Sequence, residues 1–136
     1  MKRMFALVLC MGVLFWGFSS TSIAAEVFRV RMFFGLSIPS GGAISLEEWQ
    51  SFQQDEIAKA FDGFNVVDSV GYYKGKPERS KIVTVIVGQK DIEKAKELAA
   101  LYSKRFKQKS VMVVKVPALE WSFIGAEWKS EANKTN

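Results

Sequence analysis

Residues 64–87, FNVVDSVGYYKGKPERSKIVTVIV, decide the fold. Residues 64–73 are rich in Val and Tyr, Lys74-Gly75-Lys76-Pro77 turns the chain, and 80–87 is apolar from Ile82 onward except for Thr84. Two β-prone runs joined by so short a connection make an antiparallel hairpin. The hairpin lies in mid-chain, so what flanks it sets the topology.

On its N-terminal side a helix begins at Ser45. The Ser45 hydroxyl can cap the backbone of Glu48, whose carboxylate reaches back to Ser45, forming a capping box. Leu46, Trp49, Ile57, Ala60 and Phe61 share about a third of the helical circumference, with Phe52 on the flank. Asp62-Gly63 ends this helix. On the C-terminal side Asp91 is placed to cap a second helix, with Ile92, Ala95, Leu98, Ala99, Tyr102 and Phe106 as its apolar stripe. Residues 27–36 alternate as a strand, 37–44 with Pro39, Gly41 and Gly42 read as a loop, and 110–116 form a fourth strand stopped by Pro117.

The order is strand, helix, strand, strand, helix, strand. It predicts an α+β class, a ferredoxin-like βαββαβ sandwich with a four-stranded antiparallel sheet and two helices on one face. The first and third strands are then central. Phe28, Val30, Met32 and Phe34 should meet the helices, as should Val83, Val85 and Val87. Arg29, Arg31 and Phe33, with Ser80, Ile82, Thr84 and Ile86, are left on the open side. On the fourth strand Val111, Val113 and Lys115 are expected to face outward, because the Lys115 ammonium needs water or a partner. A face so apolar needs a cover. The expected cover is a second copy of the chain, giving a homodimer; the alternative is the chain's own C-terminal segment, through Trp121 and Phe123. The arginines are then free to meet Asp68, a partner carboxylate or a small anionic ligand.

Residues 1–25 are expected to be a signal peptide: a basic start at Lys2-Arg3, an apolar run from Met4 to Phe18, and small residues ending in Ala24-Ala25. The apolar run is shorter than the ~20 residues of a membrane-spanning helix. Cleavage after Ala24 or Ala25 and a periplasmic or secreted protein without a stable membrane anchor are therefore expected. Residues 26–125 form the domain, and 126–136 a polar C-terminal tail. The cut removes Cys10, the sole cysteine, from a chain with no histidine. It also leaves 17 basic against 14 acidic residues, a net charge of +3. That charge is mild, and no nucleic-acid partner is expected.

Without His or Cys the exported domain has no Ser-His pair, no thiolate and no ordinary zinc or haem site, so neither a metal nor another cofactor is expected. Ser80 and Lys81 are neighbours on a strand and point to opposite faces, so they cannot serve each other as a catalytic pair. Gly41-Gly42 lacks the Gly-Lys-Ser/Thr ending of a phosphate loop and reads as a turn. Glu56, at the border of the apolar stripe, has three readings: an ion pair with an arginine, a solvated flank, or an acid-base group.

Several segments together resemble a bacterial exported family catalogued as domain of unknown function 3574. They are Phe34-Gly35-Leu36, Pro39-Ser40-Gly41-Gly42, Glu48-Trp49 with Phe52, Asp55-Glu56-Ile57, Phe61-Asp62-Gly63, Glu78-Arg79-Ser80-Lys81, and Tyr102 with Arg105-Phe106, Gln108 and Ser110-Val111. The resemblance implies no particular activity. It marks Glu56, Ser80, Lys81, Gln108 and Ser110 as positions where family pattern and chemistry coincide. The C-terminal end, with Trp121, Trp128 and its polar tail, is longer than the family pattern.

The expectation is an exported, non-enzymatic binding or self-association module working through the open sheet face. Its ligand contacts are drawn from Arg29, Arg31, Phe33, Ser80, Lys81, Gln108 and Ser110. The alternative is a cofactor-independent enzyme of the dimeric α+β barrel type, acting on a small anionic or partly apolar substrate. In it Glu56 or Tyr72 is the acid or base, and Arg31 steadies developing negative charge.

Overall fold

The computed structural model describes residues 26–130; the expected signal peptide lies outside them. Strand β1 (Val27–Gly35) is followed by the first helix, which starts as Leu46–Phe52, passes through a π turn at Gln53–Ile57 and finishes as Ala58–Ala60. Strands β2 (Asn65–Tyr73) and β3 (Lys76–Gly88) form the hairpin. A 3-10 turn, Gln89–Asp91, leads into the second helix, Ile92–Arg105, and β4 (Met112–Pro117) closes the sheet. The strands lie in the order β2-β3-β1-β4, all antiparallel, with β1 and β3 central. This is the ferredoxin-like α+β arrangement anticipated from the pattern.

The hairpin is tighter than its sequence indicates. Lys74 and Gly75 both adopt positive φ, 49° and 77°, as a two-residue hairpin turn whose twist matches the strands requires. Strand β3 therefore begins at Lys76 and takes in Pro77. That proline is tolerated because β1 reaches only Ser80, so its missing N–H faces no second neighbour.

The core lies between one sheet face and both helices. Phe28, Val30, Met32, Phe34, Val83 and Val85 are buried there against Trp49, Phe52, Ile57, Leu98 and Tyr102. Phe34 is the hub, with its ring 5.5 Å from Trp49, 5.8 Å from Phe52 and 4.7 Å from Tyr102. Inclined and edge-on aromatic contacts of this kind add to the gain from area burial. The Ser45–Glu48 capping box is present in both directions, at 3.1 Å and 2.8 Å.

Three expectations need correction. A uniform helical period puts Leu46 on the apolar stripe and Phe52 on its flank; in the structure Leu46 is 65 % exposed and Phe52 fully buried. The cause is the π turn, which advances less per residue than an α-helix and swings Ile57 back over Trp49 and Phe52. The Asp91 side chain does not cap the second helix; it accepts an ion pair from Lys94 at 2.8 Å instead. That pairing holds the Asp91 carboxyl below its usual range and raises Lys94.

The third correction is the facing of β4. Met32 pairs with Val113 and Val30 with Lys115, and both β1 residues are buried under the helices. Val113 and Lys115 are therefore on the helix side, Val111 also packs against the core, and Met112, Val114 and Val116 take the open side. Lys115 escapes burial because β4 is an edge strand. Its stem reaches the rim, where the ammonium lies 3.8 Å from the Phe28 ring centroid and donates to Gln89 Oε1 at 2.9 Å.

Candidate functional site

Strand register places the side chains of the uncovered face in rows. Val67, Ile82, Phe33 and Met112 make one row, and Asn65, Thr84, Arg31 and Val114 the next. Ile86, Arg29 and Val116 follow toward one end; Ser69, Ser80 and Gly35 lie toward the other. Val67, Ile86 and Met112 are each more than half exposed, and Val114 and Val116 are exposed as well. Arg29 and Arg31 stand among them without an ion-pair partner among the described residues. The face is thus an apolar sheet surface carrying two free guanidinium groups.

The described part of the C-terminal segment, residues 118–130, does not shelter this surface. Leu119 and Phe123 are 98 % and 94 % exposed, and Trp121, Ile124 and Trp128 are also largely open. Trp121 and Phe123 stack edge to face on each other at 5.9 Å. Glu120 and Glu127 are interspersed among these apolar residues.

At the Gly35 end of the face lies a cleft of about 570 Å³, bounded by Ser37, Tyr73, Lys76, Glu78, Lys109 and Ser110, with Gln108 in its wall. Gln108 is fixed by two donated bonds, from Nε2 to the Ser37 carbonyl at 2.9 Å and to the Phe106 carbonyl at 3.2 Å. Glu78 folds over Gly35: a methyl group on Gly35 would sit 2.7 Å from Glu78 Oε1 and 3.5 Å from Gln108 Oε1. On the far side of Gly35 its carbonyl accepts a 2.7 Å bond from the buried Tyr102 hydroxyl. Burial, with the negative charges of Glu48 and Glu78 beyond it, pushes the Tyr102 phenol well above its ordinary value of 10.0.

The residues nominated from sequence divide among three places. Arg29, Arg31, Phe33 and Ser80 share the open face, and Gln108 and Ser110 line the cleft at its end. Lys81 belongs to neither. It pairs with Phe34 and Asp68 in register, on the helix side, and forms an ion pair with Asp68 that holds that carboxyl below its usual 3.8. Asp68 is therefore unavailable to the arginines of the open face. Glu56 takes Arg105, whose guanidinium also lies over the Phe52 ring, so Glu56 follows the arginine-pair reading on the helical layer. Tyr72 is mostly exposed on the edge strand β2 and alternates to the face opposite Arg31. Glu56, Tyr72 and Arg31 are thus not brought together.

Glu78 is the residue the sequence reading passes over. A third strand that starts at Ser80 leaves Glu78 without an element; with β3 starting at Lys76 it has a strand face and a neighbour, Gly35. The glycine in Phe34-Gly35-Leu36 was the available signal, since a bare backbone in a strand marks close approach by another group. Among the described residues no group of three acidic, histidine or cysteine side chains is placed to hold a metal ion.

Fold and face together define a ferredoxin-like α+β domain with one sheet surface uncovered by the described residues. Residues 29–123 match the family described as "Protein of unknown function (DUF3574)", and the chain belongs to that family. No curated protein matches it significantly. Among solved structures it is similar to a phage SAM lyase in complex with S-methyl-5'-thioadenosine, with TM-score 0.53 and 19 % identity over 73 % of this chain and 95 % of that one. It is likewise similar to a phage SAM lyase in the apo state, with TM-score 0.50 and 23 % identity over 79 % of this chain and 96 % of that one. At these identities the likeness is one of fold.

Proposed function

We propose that this is an exported, non-enzymatic binding module that self-associates through its open sheet face. The observation that carries the reading is self-complementarity. The chain has an uncovered apolar face bearing Arg29 and Arg31, and an uncovered apolar segment bearing Glu120 and Glu127. In a dimer, Leu119, Trp121 and Phe123 of one copy lie on Val67, Ile82, Ile86 and Val114 of the other, and the carboxylates meet the arginines. Burial of the apolar surface drives association, and the charges set its orientation. The setting is the periplasm or the exterior, after removal of the leader.

Light scattering of the purified protein across micromolar concentrations tests the reading. A dimer that Val114→Lys converts to a monomer is the expected result; a wild-type protein that stays monomeric throughout rejects it.

One observation favours a second reading, that of a cofactor-independent enzyme. The Glu78 carboxylate faces an open cleft beside Tyr73 without an ion-pair partner among the described residues, on a fold shared with a phage SAM lyase. In this reading Glu78 replaces Glu56 and Tyr72 as the acid-base group. Incubation with S-adenosylmethionine and chromatography for S-methyl-5'-thioadenosine tests it: product formed by the wild type and lost in Glu78→Gln selects the enzyme, and intact substrate rejects this activity.

A further inference from the structure

Two acceptor oxygens converge beside Gly35, and neither has a donor among the described residues. The Gln108 amide has its polarity set by its neighbours: both Nε2 bonds go to carbonyl oxygens, of Ser37 and Phe106. Reversing the amide would set oxygen against oxygen, so Oε1 must face the cleft. Glu78 Oε1 comes to the same spot, near enough that any side chain at Gly35 would displace it. Glu78 is half-buried and has neither ion pair nor side-chain hydrogen bond among the described residues. A partly desolvated carboxylate next to an amide oxygen repels anions and favours a cationic donor.

The other walls carry the opposite sign. Lys76 and Lys109 border the same cleft, neither in an ion pair among the described residues, and Ser37 and Ser110 add hydroxyls. Tyr73 supplies an aromatic wall. A volume of about 570 Å³ is within the range of small-molecule sites. One carboxylate and one amide are too few hard ligands for a dedicated divalent-cation cage. An ammonium, with its three donors, suits an acceptor pair of this kind.

We propose that this cleft binds a small amino-acid-type zwitterion, with its primary ammonium held by Glu78 and Gln108 and its carboxylate directed to Lys76 and Lys109. The site is separate from the proposed dimer contact, so binding and self-association can fail independently.

Ligand-observed NMR of the purified protein with the standard amino acids at millimolar concentration, beside their N-acetyl derivatives, provides the test. At least one free amino acid should bind, and its N-acetyl derivative, which keeps the carboxylate but lacks the ammonium, should not. Glu78→Gln should weaken binding about tenfold by removing the charge from the hydrogen bond. Gly35→Ala should weaken it similarly while removing no polar group, because its methyl group displaces Glu78 Oε1. Retained amide chemical shifts away from the cleft show that both variants are folded. Absence of binding by every free amino acid overturns the proposal, as does equal binding of the acetylated forms or unchanged affinity in both variants.

Discussion

The Tyr102 hydroxyl donates to the Gly35 carbonyl at 2.7 Å, joining residues 67 positions apart and tying the second helix to the end of β1. This bond is the seam between core and cleft: Tyr102 packs on Phe34 and Phe52 on one side, and Glu78 covers Gly35 on the other. Removing the hydroxyl leaves the packing and loses the bond. Tyr102→Phe should therefore cost about 1 kcal/mol in denaturant unfolding, with m unchanged.

The same residue makes stability depend on pH. Its folded pKa is raised above the unfolded value, so the neutral form is favoured in the native state. The contribution is fully present below about pH 10, the unfolded value for tyrosine, and is lost as pH rises toward the folded pKa. Urea midpoints compared between neutral and alkaline pH should fall less in Tyr102→Phe than in the wild type. Equal falls would show that other groups govern the alkaline limb.

The π turn yields a prediction opposite to the one uniform helical periodicity makes. Phe52→Ala should cost about 3–5 kcal/mol because it empties a fully buried ring site. Leu46→Ala should change stability by no more than about 0.5 kcal/mol, since Leu46 is already in water. Chemical denaturation of both variants checks the contrast, and a large loss at Leu46 would contradict the phase shift.

The Lys81–Asp68 pair should be visible in a titration. Asp68 is held below 3.8 first by the hydrogen bond from Lys81 and then by its charge. Lys81→Met should raise the Asp68 midpoint, read from carboxyl chemical shifts. A lowered folded pKa means that the contribution is present above the unfolded value and disappears as pH falls through the folded one. Asp68 is fully exposed, so acid unfolding itself should scarcely change.

Much of this architecture was legible because it rests on local physics. The Ser45–Glu48 box needs only residues three apart, and the alternation from Phe28 to Phe34 needs only the period of a strand. Lys115 shows where such reasoning stops. Its charge argues for the open face, and only its place on an edge strand, with Phe28 and Gln89 in reach, lets it lie on the helix side. Glu56 was ambiguous for a similar reason: its partner Arg105 is 49 residues away, and no periodicity connects them.

The sequence by itself determined the order of strands and helices, the hairpin at its centre and the membership of the core on β1 and β3, because period, turn chemistry and capping act between near neighbours. Tertiary structure alone decided the phase of the first helix after its π turn, the facing of β4, and the meeting of Glu78 with Gln108 over Gly35. Those depend on which distant groups compete for the same space, and that competition exists only once the chain has folded.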